Sequence, residues 1–82
     1  MNKKVPSILV VDDDKNIRTL FSLILRKRGW KVEIAKNGKE AIKKSKATAF
    51  NVALLDIKLP DIEGTKLLKM LCETKPKMIK IM

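Results

Sequence analysis

Asp12, Asp13 and Asp56 are the residues whose type and placing could do chemistry. Asp12-Asp13 close the apolar run Ser7-Ile8-Leu9-Val10-Val11, and Asp56 closes Asn51-Val52-Ala53-Leu54-Leu55. Both runs are short, continuous and rich in aliphatic residues, which suits strands buried on both faces of a parallel sheet. In an open sheet of that kind, ligands bind beyond the carboxyl ends of the strands, where the strand order reverses. If the two strands are neighbours there, their acids meet in one small pocket. Clustered carboxylates repel and push one another's pKa upward, and a hard divalent cation removes that penalty. Mg²⁺ takes oxygen ligands, keeps several waters and uses few carboxylates. A carboxylate beside it can act as a nucleophile toward phosphorus and form an aspartyl phosphate.

The elements that must position these acids follow from the pattern between them. Lys15 to Arg28 predicts a helix, with Asp13 or Asp14 as cap. Its Ile17, Leu20, Phe21, Ile24 and Leu25 recur at helical spacing, and Gly29 follows as a stop. Lys31 to Ala35 alternates as a short, more exposed strand. Asn37 and Glu40 resemble a capping box that opens a helix running to about Lys46. Lys58 to Gly64, with Pro60, Asp61 and Gly64, predicts a loop. Thr65 to Cys72 predicts a third helix broken by Lys75-Pro76, with Met70 and its neighbouring leucines as core and Cys72 as a small buried residue. Lys77 to Met82 predicts a fourth strand. The order β-α-β-α-β-α-β argues an α/β fold, a parallel sheet with helices on both faces joined by right-handed crossovers.

Composition narrows the chemistry. The 82 residues predict one domain with a modest core. The chain has no histidine and a single cysteine, Cys72. That excludes Ser-His-Asp and Cys-His catalysis, imidazole metal sites and an internal disulfide. Nineteen basic residues against nine acidic ones give a net charge of +10. Such a balance suits nucleic acid, an anionic surface or an acidic partner. The lysines, however, are spread from Lys3 to Lys80 without a dense block, as on an ordinary solvated surface. The basic Met1–Lys4 stretch and the apolar residues after it are faintly like a signal peptide, but Pro6 interrupts the run and no cleavage site follows. No apolar stretch approaches the ~20 residues of a membrane span, so a cytoplasmic protein with no membrane partner is expected.

Ile8-Leu9-Val10-Val11-Asp12-Asp13 and Leu54-Leu55-Asp56-Ile57-Lys58-Leu59-Pro60-Asp61-Ile62-Glu63-Gly64 resemble, together and at this separation, the two signature stretches of response-regulator receiver domains. The resemblance implies the flavodoxin-like fold, here (βα)3β with strand order 2-1-3-4, the first four strands of the 2-1-3-4-5 order found in that family. It implies Asp56 as phospho-acceptor, Asp13 as direct Mg²⁺ ligand, Asp12 as its neighbour acting through water, and the backbone carbonyl of Lys58 as the third protein ligand. Pro60 and Gly64 match the residues that shape the loop. It implies a two-component signalling module rather than an enzyme, with a sensor histidine kinase or phosphotransfer protein as donor and Mg²⁺ as cofactor.

Receiver domains continue through a fourth strand ending in Ser or Thr, further helices and a fifth strand ending in Lys. Residues 1–82 therefore resemble a receiver domain without its last part, and phosphoryl acceptance and switching are the functions most exposed to that difference. A fourth-strand edge and an uncovered sheet face are expected to promote self-association. Nucleic acid is expected only through an output domain that these residues do not contain. The alternative reading is a basic scaffold or nucleic-acid-binding protein with a receiver-like fold and no phosphorylation; a phosphatase-type hydrolase lacks candidate acid/base residues and a substrate cap.

Overall fold

The computed structural model describes residues 5–82, and the basic Met1–Lys4 stretch lies outside them. Four strands and three helices alternate: β1 Ser7–Val11, α1 Lys15–Lys27, β2 Lys31–Ala35, α2 Gly38–Ala47, β3 Val52–Leu55, α3 Gly64–Thr74 and β4 Ile79–Ile81. All pairings are parallel, and the order is β2-β1-β3-β4, as the sequence predicts. β1 is central: Val11 stands opposite Ala35 on one side and Leu55 on the other. This register brings the residues after Val11 and Leu55 to the same end of the sheet.

Alternation divides the strands between two cores. Leu9, Val11, Ala53 and Leu55 face α2 and α3, where they cluster with Ala41, Leu67 and Leu71. Ile8, Val10 and Val52 face the other side with Val32, packed by Leu25 and Trp30. Every residue of β1 is buried, which is why the run carries no polar alternation.

Helix ends follow local chemistry. Asp14 is the N-cap of α1, accepting hydrogen bonds from the amides of Asn16 and Ile17. Gly29, at φ +92°, turns the chain after α1 in a region closed to most side chains. Asn37 caps α2 by accepting from the Glu40 amide at 2.8 Å, while Glu40 reaches back to the Lys36 amide, one residue before the expected reciprocal partner. The third helix runs two residues past its expected end, to Thr74, and stops where Lys75 must accommodate Pro76.

Two core assignments are corrected. Cys72 is exposed, and Met70 is 38% exposed. The inward stripe of α3 is Leu67 and Leu71, one turn apart, so the residues flanking Leu71 in sequence point around the helix toward solvent.

The face shared by α1 and the far half of the sheet is bare. α1 buries no residue fully. Phe21 and Ile24 are 39% and 45% exposed, and Ile79 and Ile81 on β4 are 60% and 48% exposed. α1 packs over β1 and β2, which leaves β3 and β4 without a covering helix on that side.

Candidate functional site

The three acids converge. One carboxylate oxygen from each of Asp12, Asp13 and Asp56 lies within 4.8 Å of the others. The strands do this: the Asp12 amide donates to the Ala35 carbonyl at 3.0 Å and the Asp56 amide to the Val11 carbonyl at 2.9 Å, so each acid continues a sheet ladder by one residue. Asp12 and Asp56 are half-buried and Asp13 is exposed.

The surroundings fix Asp12 most firmly. Its Oδ1 accepts from the Asp14 amide at 2.9 Å. Its carbonyl accepts from the Arg18 guanidinium at 2.7 Å, one turn into α1. Burial raises the Asp12 pKa above the ordinary carboxylate range; the Asp14 amide opposes this, and the charges of Asp56, Asp13 and Asp14 add to it. No described cation neutralises the cluster, because the ion pairs among the described residues, Lys36–Glu40 and Lys44–Glu33, lie elsewhere.

Asp56 opens the loop that leads to α3. Within it Lys58 forms an isolated antiparallel bridge with Glu63, and the Gly64 amide donates to the Ile57 carbonyl at 2.6 Å. A Cβ on Gly64 would stand 2.1 Å from the Asp56 carbonyl oxygen, so the loop closes against the backbone of Asp56. Leu59 and Ile62 pack on the core, while Ile57, Lys58, Pro60, Asp61 and Glu63 are exposed.

Asp61 is the participant that sequence reasoning left without a role. Its Oδ1 accepts from the Gly38 amide at 2.8 Å and its Oδ2 from the Lys39 amide at 2.9 Å, both in the first turn of α2. Those amides hold its carboxyl below the ordinary range. Partners more than twenty residues away give no local signal in the sequence.

Beside the acids, an open groove of about 370 Å³ runs from Asp12 and Asp56 to Phe21, Leu54, Ile81 and Met82. Its apolar walls belong to the bare side of the sheet.

The donor set fits a hard divalent cation: every side-chain donor is a carboxylate oxygen, the three are close enough to share one ion, and their exposed side leaves room for water. The strand order and the acids at the tips of its two central strands define a flavodoxin-like receiver fold. The model of the response regulator receiver domain matches residues 8–82, and the chain belongs to that family.

The chain is 40% identical over 75 residues to the alkaline phosphatase synthesis transcriptional regulatory protein PhoP of Bacillus subtilis, a match covering 92% of this chain and 30% of that protein. It is 39% identical over 67 residues to the transcriptional regulatory protein TrcR of Mycobacterium tuberculosis, covering 82% and 26%. Among solved structures, a CheY-like receiver domain protein from Methanospirillum hungatei superposes with a TM-score of 0.92 at 44% identity, covering 94% of this chain and 62% of that one. The response regulator TrrA of Thermotoga maritima, solved in complex with Mg²⁺–BeF, superposes at 0.83 with 37% identity, covering 87% and 62%. The chain thus spans under a third of these curated relatives and about 62% of these receiver structures. Receiver domains are in general signalling modules rather than enzymes. No helix among the described residues is long and apolar enough to cross a membrane.

Proposed function

We propose that this chain is the phosphoryl-accepting part of a two-component signalling protein, with Asp56 as acceptor and Asp12, Asp13, Asp56 and the Lys58 carbonyl as the ligand set for Mg²⁺. The observation that carries the reading is the meeting of three carboxylates at the tips of adjacent strands in an otherwise basic chain. The donor is a phosphohistidine on a sensor kinase or phosphotransfer protein in the cytoplasm. A carboxylate oxygen of Asp56 attacks phosphorus, the P–N bond breaks, and the departing imidazole nitrogen keeps the electron pair and takes up a proton. The product is an acyl phosphate. Bound Mg²⁺ would supply charge neutralisation on the transferring oxygens. Asp12 is held for its part by the Asp14 amide and by Arg18 on its carbonyl. Residues 8–82 act here as one unit of receiver fold.

The test is incubation with Mg²⁺ and a small phosphodonor, followed by intact-mass measurement. Wild type gains one phosphate-sized increment that hydroxylamine removes, and Asp56→Asn gains none. An unchanged wild-type mass defeats phosphoryl acceptance by these residues. The +10 charge supports a second reading, a nucleic-acid-binding receiver-like fold; steeply salt-dependent DNA binding together with an unchanged mass favours it.

The bare face also bears on partners. The β4 edge and the apolar surface of α1 together support self-association of these residues. Sedimentation equilibrium is expected to give a mass above that of the 9.3 kDa chain, falling on dilution; a monomer at all concentrations overturns this.

A further inference from the structure

We propose that Asp61 is a positioning residue whose carboxylate latches the loop after Asp56 onto the first turn of α2. The inference rests on the acceptor reading in one respect only, that the latched loop carries the Lys58 carbonyl assigned to the cation.

The first four amides of a helix have no partner within it. In α2, Asn37 already satisfies the Glu40 amide from the N-cap position. The Gly38 and Lys39 amides are met instead by the two oxygens of one side chain from a different segment, at 2.8 and 2.9 Å. A bidentate carboxylate on two backbone amides is charge-assisted and fixes direction as well as distance. Apolar contact reinforces it: a Cβ on Gly38 would stand 2.1 Å from Ile62 Cγ2, so the residue after Asp61 lies directly on the Gly38 backbone. At neutral pH the ionised carboxylate offers both oxygens as acceptors, and these same two amides lower its pKa.

The rest of the loop needs such an anchor. Between Asp56 and Gly64 its internal ties are the Lys58–Glu63 bridge and the Gly64-to-Ile57 hydrogen bond, and five of the seven intervening residues are exposed. α2 packs against β2 and β1, the strand that brings Asp12. Through Asp61, the segment that follows the acceptor is therefore referenced to the same framework as its partner acids. Asn37 and Asp61 meet different amides of α2, so a cap alone would act only on that helix, whereas a latch would also act on residues 57–64.

Two alanine variants separate these roles. Amide hydrogen exchange by NMR is measured for wild type, Asp61→Ala and Asn37→Ala, with Mg²⁺ titration of each. In Asp61→Ala the Gly64 amide exchanges about tenfold faster, and the Mg²⁺ Kd rises about tenfold. Asn37→Ala lowers the melting temperature of the chain but leaves Gly64 exchange and the Mg²⁺ Kd within about twofold of wild type. Asp61→Asn, which keeps one acceptor oxygen, falls between wild type and alanine. If Asp61→Ala alters exchange only in α2, or if both alanine variants loosen the loop equally, the latch is overturned. Should wild type bind no Mg²⁺, the cation reading falls, and the exchange data alone decide the latch.

Discussion

Gly64→Ala is expected to destabilise the chain by about 2 to 3 kcal/mol, the upper part of the range for forcing an extra methyl into a closed site. The added Cβ would stand 2.1 Å from the Asp56 carbonyl oxygen, 2.8 Å from Ile57 Cα and 2.9 Å from the Asp56 carbonyl carbon. All three are backbone atoms, so no flexible side chain can swing aside. Either α3 shifts at its first residue or the strand end carrying Asp56 moves. The same displacement breaks the 2.6 Å hydrogen bond from the Gly64 amide to Ile57. Urea unfolding of wild type and variant measures the loss. Gly29→Ala is the comparison: its Cβ would meet nothing within 4 Å, and only its φ of +92° is strained, at about 1 to 2 kcal/mol. A Gly64→Ala loss below about 0.5 kcal/mol, within the usual scatter of surface changes, would show that the loop does not close on the Asp56 backbone as described.

Asp12→Asn is expected to act with opposite signs with and without a divalent cation. Without one, the variant is more stable. Asp12 has a raised pKa, so folding binds its proton more tightly than the unfolded chain does. Its contribution to stability is fully present below the unfolded carboxylate value of about 4. That contribution is lost as pH rises through the higher folded value. At neutral pH the wild type therefore carries a desolvated, mutually repelled charge. Each pair at this spacing is worth on the order of 1 kcal/mol in a water-like medium. Asparagine keeps an oxygen to accept from the Asp14 amide and removes the charge. With Mg²⁺ the order reverses, because the variant loses about tenfold to hundredfold in cation affinity, the range for removing a group that supports a metal site. Thermal unfolding in chelator and in Mg²⁺, from acid to neutral pH, reads both. A variant less stable than wild type in chelator at neutral pH would contradict the account, as would an undiminished response to Mg²⁺.

What the sequence made legible was whatever has a local period or a local stop. The strands Ser7–Val11 and Val52–Leu55 were visible because burial on both faces leaves no polar alternation, and the acids that end them stood out against that run. The caps Asp14 and Asn37 were visible because each acts within three residues of itself. Asp61 was invisible as a latch because the amides it meets belong to another element. Cys72 and Met70 were misplaced because helical period identifies a stripe only to within one residue on either side, and Leu67 and Leu71 proved to be its centre. The apolar side of α1 was legible as a pattern, yet Phe21 and Ile24 are exposed, since burial depends on a neighbour that periodicity does not supply.

β1 pairs with both β2 and β3, and every pairing joins strands separated by at least one helix. Asp13 and Asp56 therefore meet only when β1 and β3 pair, with α1, β2 and α2 looped out between them. Such non-local parallel pairing is slow, because loop entropy is lost before any contact repays it. The acid cluster is thus also a seam between early and late parts of the chain. An ion bridging it would hold that seam shut from outside, slowing unfolding more than it hastens folding.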